Sequence, residues 1–174
     1  MQLDLESIES IEQAAAAVTK LLPEGLHALI GNAGANDQPK ATFENLFVSS
    51  VHSSLKKTLL ANDHIHRDLK LFSEELNLEI INNTVLIRAF LPLIRKSKAG
   101  KLIFISSILG SVELAAGMPT LNDAYAVSRA ALNMLIRKWG GALKGEGIAT
   151  AIIHPGKLNL SYLLPPTLEF SNAS

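Results

Sequence analysis

Lys101-Leu102-Ile103-Phe104-Ile105-Ser106-Ser107 is the stretch that decides the fold. Its apolar residues follow one another without polar alternation and end at a serine pair. Such runs belong to strands buried on both faces, as in parallel sheets covered by helices. Two others have the same form. Leu26-His27-Ala28-Leu29-Ile30 ends at Gly31, and Ile148-Ala149-Thr150-Ala151-Ile152-Ile153 ends at His154. Between the runs lie long helical patterns, Leu76 to Ile94 and Asp123 to Leu143. Upstream, Ile8, Ile11, Ala15, Val18 and Leu22 step by three and four, the spacing of one buried helix face. Ser10 with Gln13 is expected to cap that helix, and Pro23-Glu24-Gly25 to stop it. Strand, helix, strand, helix, strand predicts an α/β domain with right-handed crossovers and helices on both sheet faces.

Composition narrows the function classes. The 174 residues suit one domain, 1–174, and the 16 basic and 16 acidic residues cancel. With no block of like charge, nucleic acid and acidic membranes are not expected partners. The chain has no cysteine, which excludes disulfides and thiolate metal sites. The opening Met1-Gln2-Leu3-Asp4-Leu5-Glu6 is acidic rather than basic, so no secretory signal is read, and no apolar run reaches the ~18 residues of a membrane span. The chain therefore reads as soluble and cytoplasmic. The polar stretch Val48 to Arg67 holds three of the five histidines without a clean period and reads as a surface insertion. His64 and His66 have metal-ligand spacing but no third ligand at matching distance, so surface histidines are the better reading.

In open α/β sheets, ligands sit beyond the carboxyl ends of the strands. Each run ends there in a distinct motif: Gly31-Asn32-Ala33-Gly34, then Ser106-Ser107, then His154-Pro155-Gly156. Tyr125-Ala126-Val127-Ser128-Arg129 opens the last helical pattern. Residues four apart share a helix face, so Tyr125 and Arg129 are expected in one crevice with Ser107.

Asn-Ala-Gly after one strand, Ser-Ser after the next, Tyr-x-x-x-basic and then Pro-Gly, in that order, resembles the short-chain dehydrogenase/reductase family. The resemblance spans roughly Leu3 to Leu160. Phe104 to Ser111 and Ala130 to Asn133 are similar to fungal ketoreductases. It implies a Rossmann-type three-layer sandwich and NADP or NAD as cofactor, used to reduce a small-molecule carbonyl or oxidise an alcohol. Tyr125 would be the general acid/base, Ser107 would hold the carbonyl oxygen, and Arg129 would supply a nearby cation. A free tyrosine ionises near pH 10, about 4 kcal/mol from working at neutrality, which is why a cation one turn away matters. Asn32, Ala33, Gly34, Tyr125, Arg129, Pro155 and Gly156 would line the cofactor site, with Asp4 toward the adenine. Self-association through helices 76–94 and 123–143 is a further implication.

The sequence departs from the family pattern in several places. Arg129 replaces a lysine and cannot relay a proton. The family's helix asparagine falls on Glu79, leaving Asn82 as a neighbouring candidate, and Leu160, followed by Ser161, replaces a threonine. No glycine-rich diphosphate turn precedes Leu3-Asp4-Leu5, which resembles a third strand. The pattern reads as truncated at both ends, without its first two strands and its last. A sheet beginning there is expected to keep a core in the order 26–30, 101–106, 148–153, and to bind cofactor weakly or not at all. Two further readings stay open: a catalytically inactive interaction protein of this fold, and a piece of a longer enzyme.

Overall fold

The computed structural model describes residues 2–34, 70, 72–115, 117 and 123–156. The expected insertion at 48–67, with His64 and His66, lies outside them, as do Leu160 and Ser161. Three parallel strands form the sheet: β1 (Ala28–Gly31), β2 (Lys101–Ile105) and β3 (Ala149–Ile153). Their order is β1-β2-β3, as the sequence predicts, with Gly31 opposite Phe104 and Phe104 opposite Ile152.

Helix α1 (Ile8–Leu21) precedes β1, and its start differs from expectation. Ser7, in extended conformation, is the cap, its hydroxyl accepting the Ser10 amide at 3.1 Å. Ser10 lies inside the first turn and accepts the Asp4 amide instead, at 3.0 Å. Asp4 in turn accepts the Glu6 amide through Oδ1 at 2.9 Å. Leu3-Asp4-Leu5 joins no sheet among the described residues, as expected of a segment without strands beside it, and Ser10 takes up its Asp4 amide.

Between β1 and β2 the expected helix contains a widened π turn, Asn77–Asn82, continuing as α2 (Asn83–Lys96). After β2 come a short 3₁₀ turn at Ile108–Gly110, the one-turn α3 (Val112–Ala115) and then α4, which spans Asp123–Leu143 as predicted. Helices α2 and α4 cover one face of the sheet. There Ile87, Leu91 and Ile94 meet Leu102 and Phe104 of β2 and Leu132, Ile136 and Leu143 of α4. Helix α1 packs mainly on α2, with Leu29 of β1 against the same cluster. Its Ile11, Ala14 and Ala15 lie against Leu86, Phe90 and Leu93, with Leu5 closing the cluster. Among the described residues the opposite sheet face carries exposed Ile30 and Ile153.

Candidate active site

The strands bring their carboxyl ends to one edge, and the predicted residues arrive there in different states. Asn32, Ala33 and Gly34 follow β1 and are exposed, as are Pro155 and Gly156 after β3. Gly156 has a φ of +77°, a conformation that favours glycine. Asp4 is exposed and occupied by its local turn. Beside β1 lies a largely apolar hollow of about 150 Å³ between Leu3, Leu5, Leu29, Asn32 and Leu86, which Tyr125 and Arg129 do not reach.

Ser107 ends the β2 segment half-buried and caps the following 3₁₀ turn, its Oγ accepting the Leu109 amide at 3.2 Å. This loop is fastened from two sides. Ser106 Oγ donates to Asn133 Oδ1 at 2.6 Å, and Asn133 Nδ2 donates to the Gly110 carbonyl at 3.1 Å. The Ile108 amide donates to His154 Nδ1 at 3.1 Å. Asn133 and His154 belong to the quoted motifs, but nothing in their spacing reveals that both brace the serine loop.

Tyr125 stands half-buried on the first turn of α4. The Arg129 guanidinium, one turn on, lies 4.7 Å from the centre of its ring, in cation–π range. Arg129 is only 5% exposed. Its Nη1 donates to the Ile105 carbonyl at 3.1 Å, at the end of the strand that leads into Ser107. Arg129 thus joins Tyr125 to that strand end.

The feature that sequence reasoning missed is what else holds Arg129. Glu79, in the π turn, is completely buried and lies 3.1 Å from Arg129 Nη2 through Oε1. The approach is not aligned as a hydrogen bond. Among the described residues neither Glu79 oxygen, nor Arg129 Nε, has a hydrogen-bond partner. Burial pushes the Glu79 carboxyl up to about 7 against the opposing pull of Arg129, and the Glu75 carboxylate adds to the rise. Such a poorly solvated carboxylate is costly to ionise even beside a cation. Gly34 closes the site from above, where an added Cβ would overlap Arg129 Nη2.

Asn82, the expected amide candidate, is half-buried at the end of the π turn. The buried amide is its neighbour Asn83, whose Nδ2 donates to the carbonyls of Leu78 at 3.3 Å and Glu79 at 3.0 Å. The readable signal for Asn83 is the apolar stripe Leu86-Ile87-Phe90-Leu93-Ile94, which extends back by one turn onto residue 83. Among the described residues no cluster of metal-ligating side chains occurs, and no helix is long and apolar enough to cross a membrane.

Comparison with known proteins bears on this arrangement of strand ends and Tyr-x-x-x-Arg helix. The family model described as short chain dehydrogenase matches residues 1–164. The short-chain dehydrogenase/reductase AacuF of Aspergillus aculeatus is 34% identical over 158 residues, covering 90% of this chain and 54% of that protein. The NADPH-bound carbonyl reductase from chicken fatty liver superposes with a TM-score of 0.68 at 28% identity, over 91% of this chain and 60% of that one. The Pseudomonas aeruginosa RhlG/NADP complex gives 0.66 at 25% identity, over 91% and 53%. The chain spans about half the length of the curated relatives it matches. With the family's model matched along nearly all of its length and its motifs set on the same sheet edge, the chain belongs to the short-chain dehydrogenase/reductase family.

Proposed function

We propose that the protein is an NAD(P)(H)-dependent oxidoreductase that interconverts a small-molecule carbonyl and its alcohol at the crevice beside Tyr125. The observation that carries this reading is the Tyr125 ring held under the Arg129 cation, with Arg129 tied to the strand end that continues into Ser107. The exposed Asn32–Gly34 turn and Gly156, uncrowded among the described residues, suit the flat ring and sugar of a nicotinamide nucleotide. Asn32, Ala33, Gly34, Pro155 and Gly156 would hold it there, with Asp4 toward its adenine end. A bound nicotinamide supplies the hydride for the carbonyl carbon. The Ser107 hydroxyl donates a hydrogen bond to the carbonyl oxygen and fixes its place. The Tyr125 hydroxyl then gives that oxygen its proton and recovers one from solvent. The Arg129 charge offsets the negative charge left on the Tyr125 oxygen. Being buried and engaged, Arg129 acts through Tyr125 rather than on the cofactor sugar.

The test is oxidation of NADPH and NADH against a panel of ketones and aldehydes, followed by nicotinamide absorbance. Tyr125→Phe is expected to lower kcat by about 10²–10⁴-fold, the usual range for losing a general acid. Wild-type turnover that survives Tyr125→Phe unchanged would remove the tyrosine from the chemistry. No turnover by the wild type with either cofactor would favour the interaction-protein reading.

A second copy is the proposed partner. Ile81, Val127 and Met134 are exposed apolar residues on the two helical segments 77–96 and 123–143, Met134 at 62% exposure. Ala126 and Ala130 beside them permit close helix approach. Sedimentation is expected to show a dimer that Val127→Glu with Met134→Glu converts to monomer. A wild-type monomer at tens of micromolar would refute the pairing.

A further inference from the structure

Among the described residues, Glu79 is the one fully buried ionisable group for which the chemistry above has no use. It sits where four parts of the fold meet. Its own π turn carries it, and the Arg129 guanidinium on α4 lies 3.1 Å away. The Ile105 carbonyl of β2 takes the other side of that guanidinium, and the Gly34 backbone lies over both charges. Asn83 fixes the turn by donating to the Glu79 carbonyl.

A buried ion pair is a weak device for stability, because an apolar pair of equal volume does as well or better. Its value is orientation. With Nη1 on Ile105 and Nη2 facing Glu79, the guanidinium has one place to go, against the Tyr125 ring. A glutamine in place of Glu79 would fill the same volume without the charge.

We propose that Glu79 is the positioning residue of this site: its negative charge holds the Arg129 guanidinium across the Tyr125 ring at the end of β2, so that loss of the charge loosens the cation from the tyrosine. The coupling operates in the neutral range, since burial raises the Glu79 carboxyl to about 7. The groups facing it are Arg129 from α4 and Glu75 from the turn upstream. Glu75 also accepts a hydrogen bond from Ser128 Oγ at 3.3 Å. Below neutrality Glu79 is uncharged and the guanidinium keeps Ile105 alone; above it the clamp is complete.

The inference rests on the proposed oxidoreductase reading only where turnover is measured, and its main test does not need turnover. The full chain is labelled with ¹³C-tyrosine and ¹⁵N-arginine, the Tyr125 signal being told from that of Tyr162 by a Tyr162→Phe variant. On titration across neutrality the Tyr125 ring and the Arg129 Nε–H are expected to shift together in one step. In Glu79→Gln that step disappears from both, and in Glu79→Asp it returns.

A step that persists in Glu79→Gln overturns the proposal, since another group would then be its source. So does a protein with Glu79 intact in which ring and guanidinium move at different midpoints, a comparison that needs no change at Glu79. If turnover is found, Glu79→Gln flattens the pH profile of kcat through neutrality and leaves the cofactor KM unchanged. A changed KM with an unaltered profile would assign Glu79 to binding instead and overturn the positioning role. Absence of turnover in every protein tested would sink the oxidoreductase reading while the titration still judged this one.

Discussion

Arg129→Met is expected to lower stability by about 3–5 kcal/mol above neutrality, the usual result of removing one partner of a buried ion pair. The cause would be Glu79, left as a carboxylate with no cation in a site from which solvent is excluded. The loss should shrink as the pH falls, because Glu79 can then take a proton and cease to be a buried charge. The sign follows from linkage. The folded-state value of about 7 lies above the ordinary 4.5, so between the two the folded protein binds a proton that the unfolded chain has released. Wild-type stability therefore declines as pH rises through that window, by roughly 3 kcal/mol in all, and levels off above it. In Arg129→Met the decline continues to higher pH, since the lowering influence of the cation is gone. Urea denaturation at a series of pH values gives both curves. An Arg129→Met penalty that is the same at acidic and alkaline pH would show that lost packing, not charge, dominates. The double variant Glu79→Leu, Arg129→Met should recover most of the loss.

The second large effect lies in the sheet. Phe104 is 1% exposed on the central strand, and its ring lies across Gly31 of β1 so closely that an added Cβ there would overlap it. Phe104→Ala is expected to cost about 3–5 kcal/mol, and at this chain length a thermal midpoint lower by roughly 6–20 °C. Gly31→Ala is expected to cost about 1–3 kcal/mol by overpacking. Adding Phe104→Leu to Gly31→Ala should cost less than the two separate losses combined, because the smaller side chain makes room for the methyl. Thermal unfolding of the four proteins tests this, and strict additivity would mean that ring and glycine do not press on each other.

The sheet was legible in the sequence because unbroken apolar runs admit few alternatives. The order β1-β2-β3 follows from the tendency of consecutive parallel strands to lie side by side, and α4 was readable to both its ends. The cap of α1 was misassigned because Ser7 and Ser10 are both good capping residues, and only the chain path chooses between them. The π turn was invisible to a reading based on a period of 3.6, and it moves the buried amide from Asn82 to Asn83. At the site, Ser107, Tyr125 and Arg129 were legible as types at fixed places. The pairing of Glu79 with Arg129 was not, because the two are far apart in the chain and spacing carries no information about such contacts. Glu79 could be noticed only as a carboxylate at an unexpected place; its burial is a property of the folded helix pair.

The widened turn at Asn77–Asn82 also sets a rule for changes in chain length. A helix keeps rotational phase, each residue turning it by about 100°. A π turn takes up one extra residue and resets that phase for everything upstream. Deleting one residue of the turn lets it relax to α geometry with that phase kept, whereas deleting one just after it, at 83–85, swings Glu79 and Glu75 around the axis together. The stripe from Leu86 to Ile94 would stay in its core while Arg129 lost its counter-charge. The chemistry at the end of β2 is therefore keyed to the number of residues between this turn and Leu86 as firmly as to their identity.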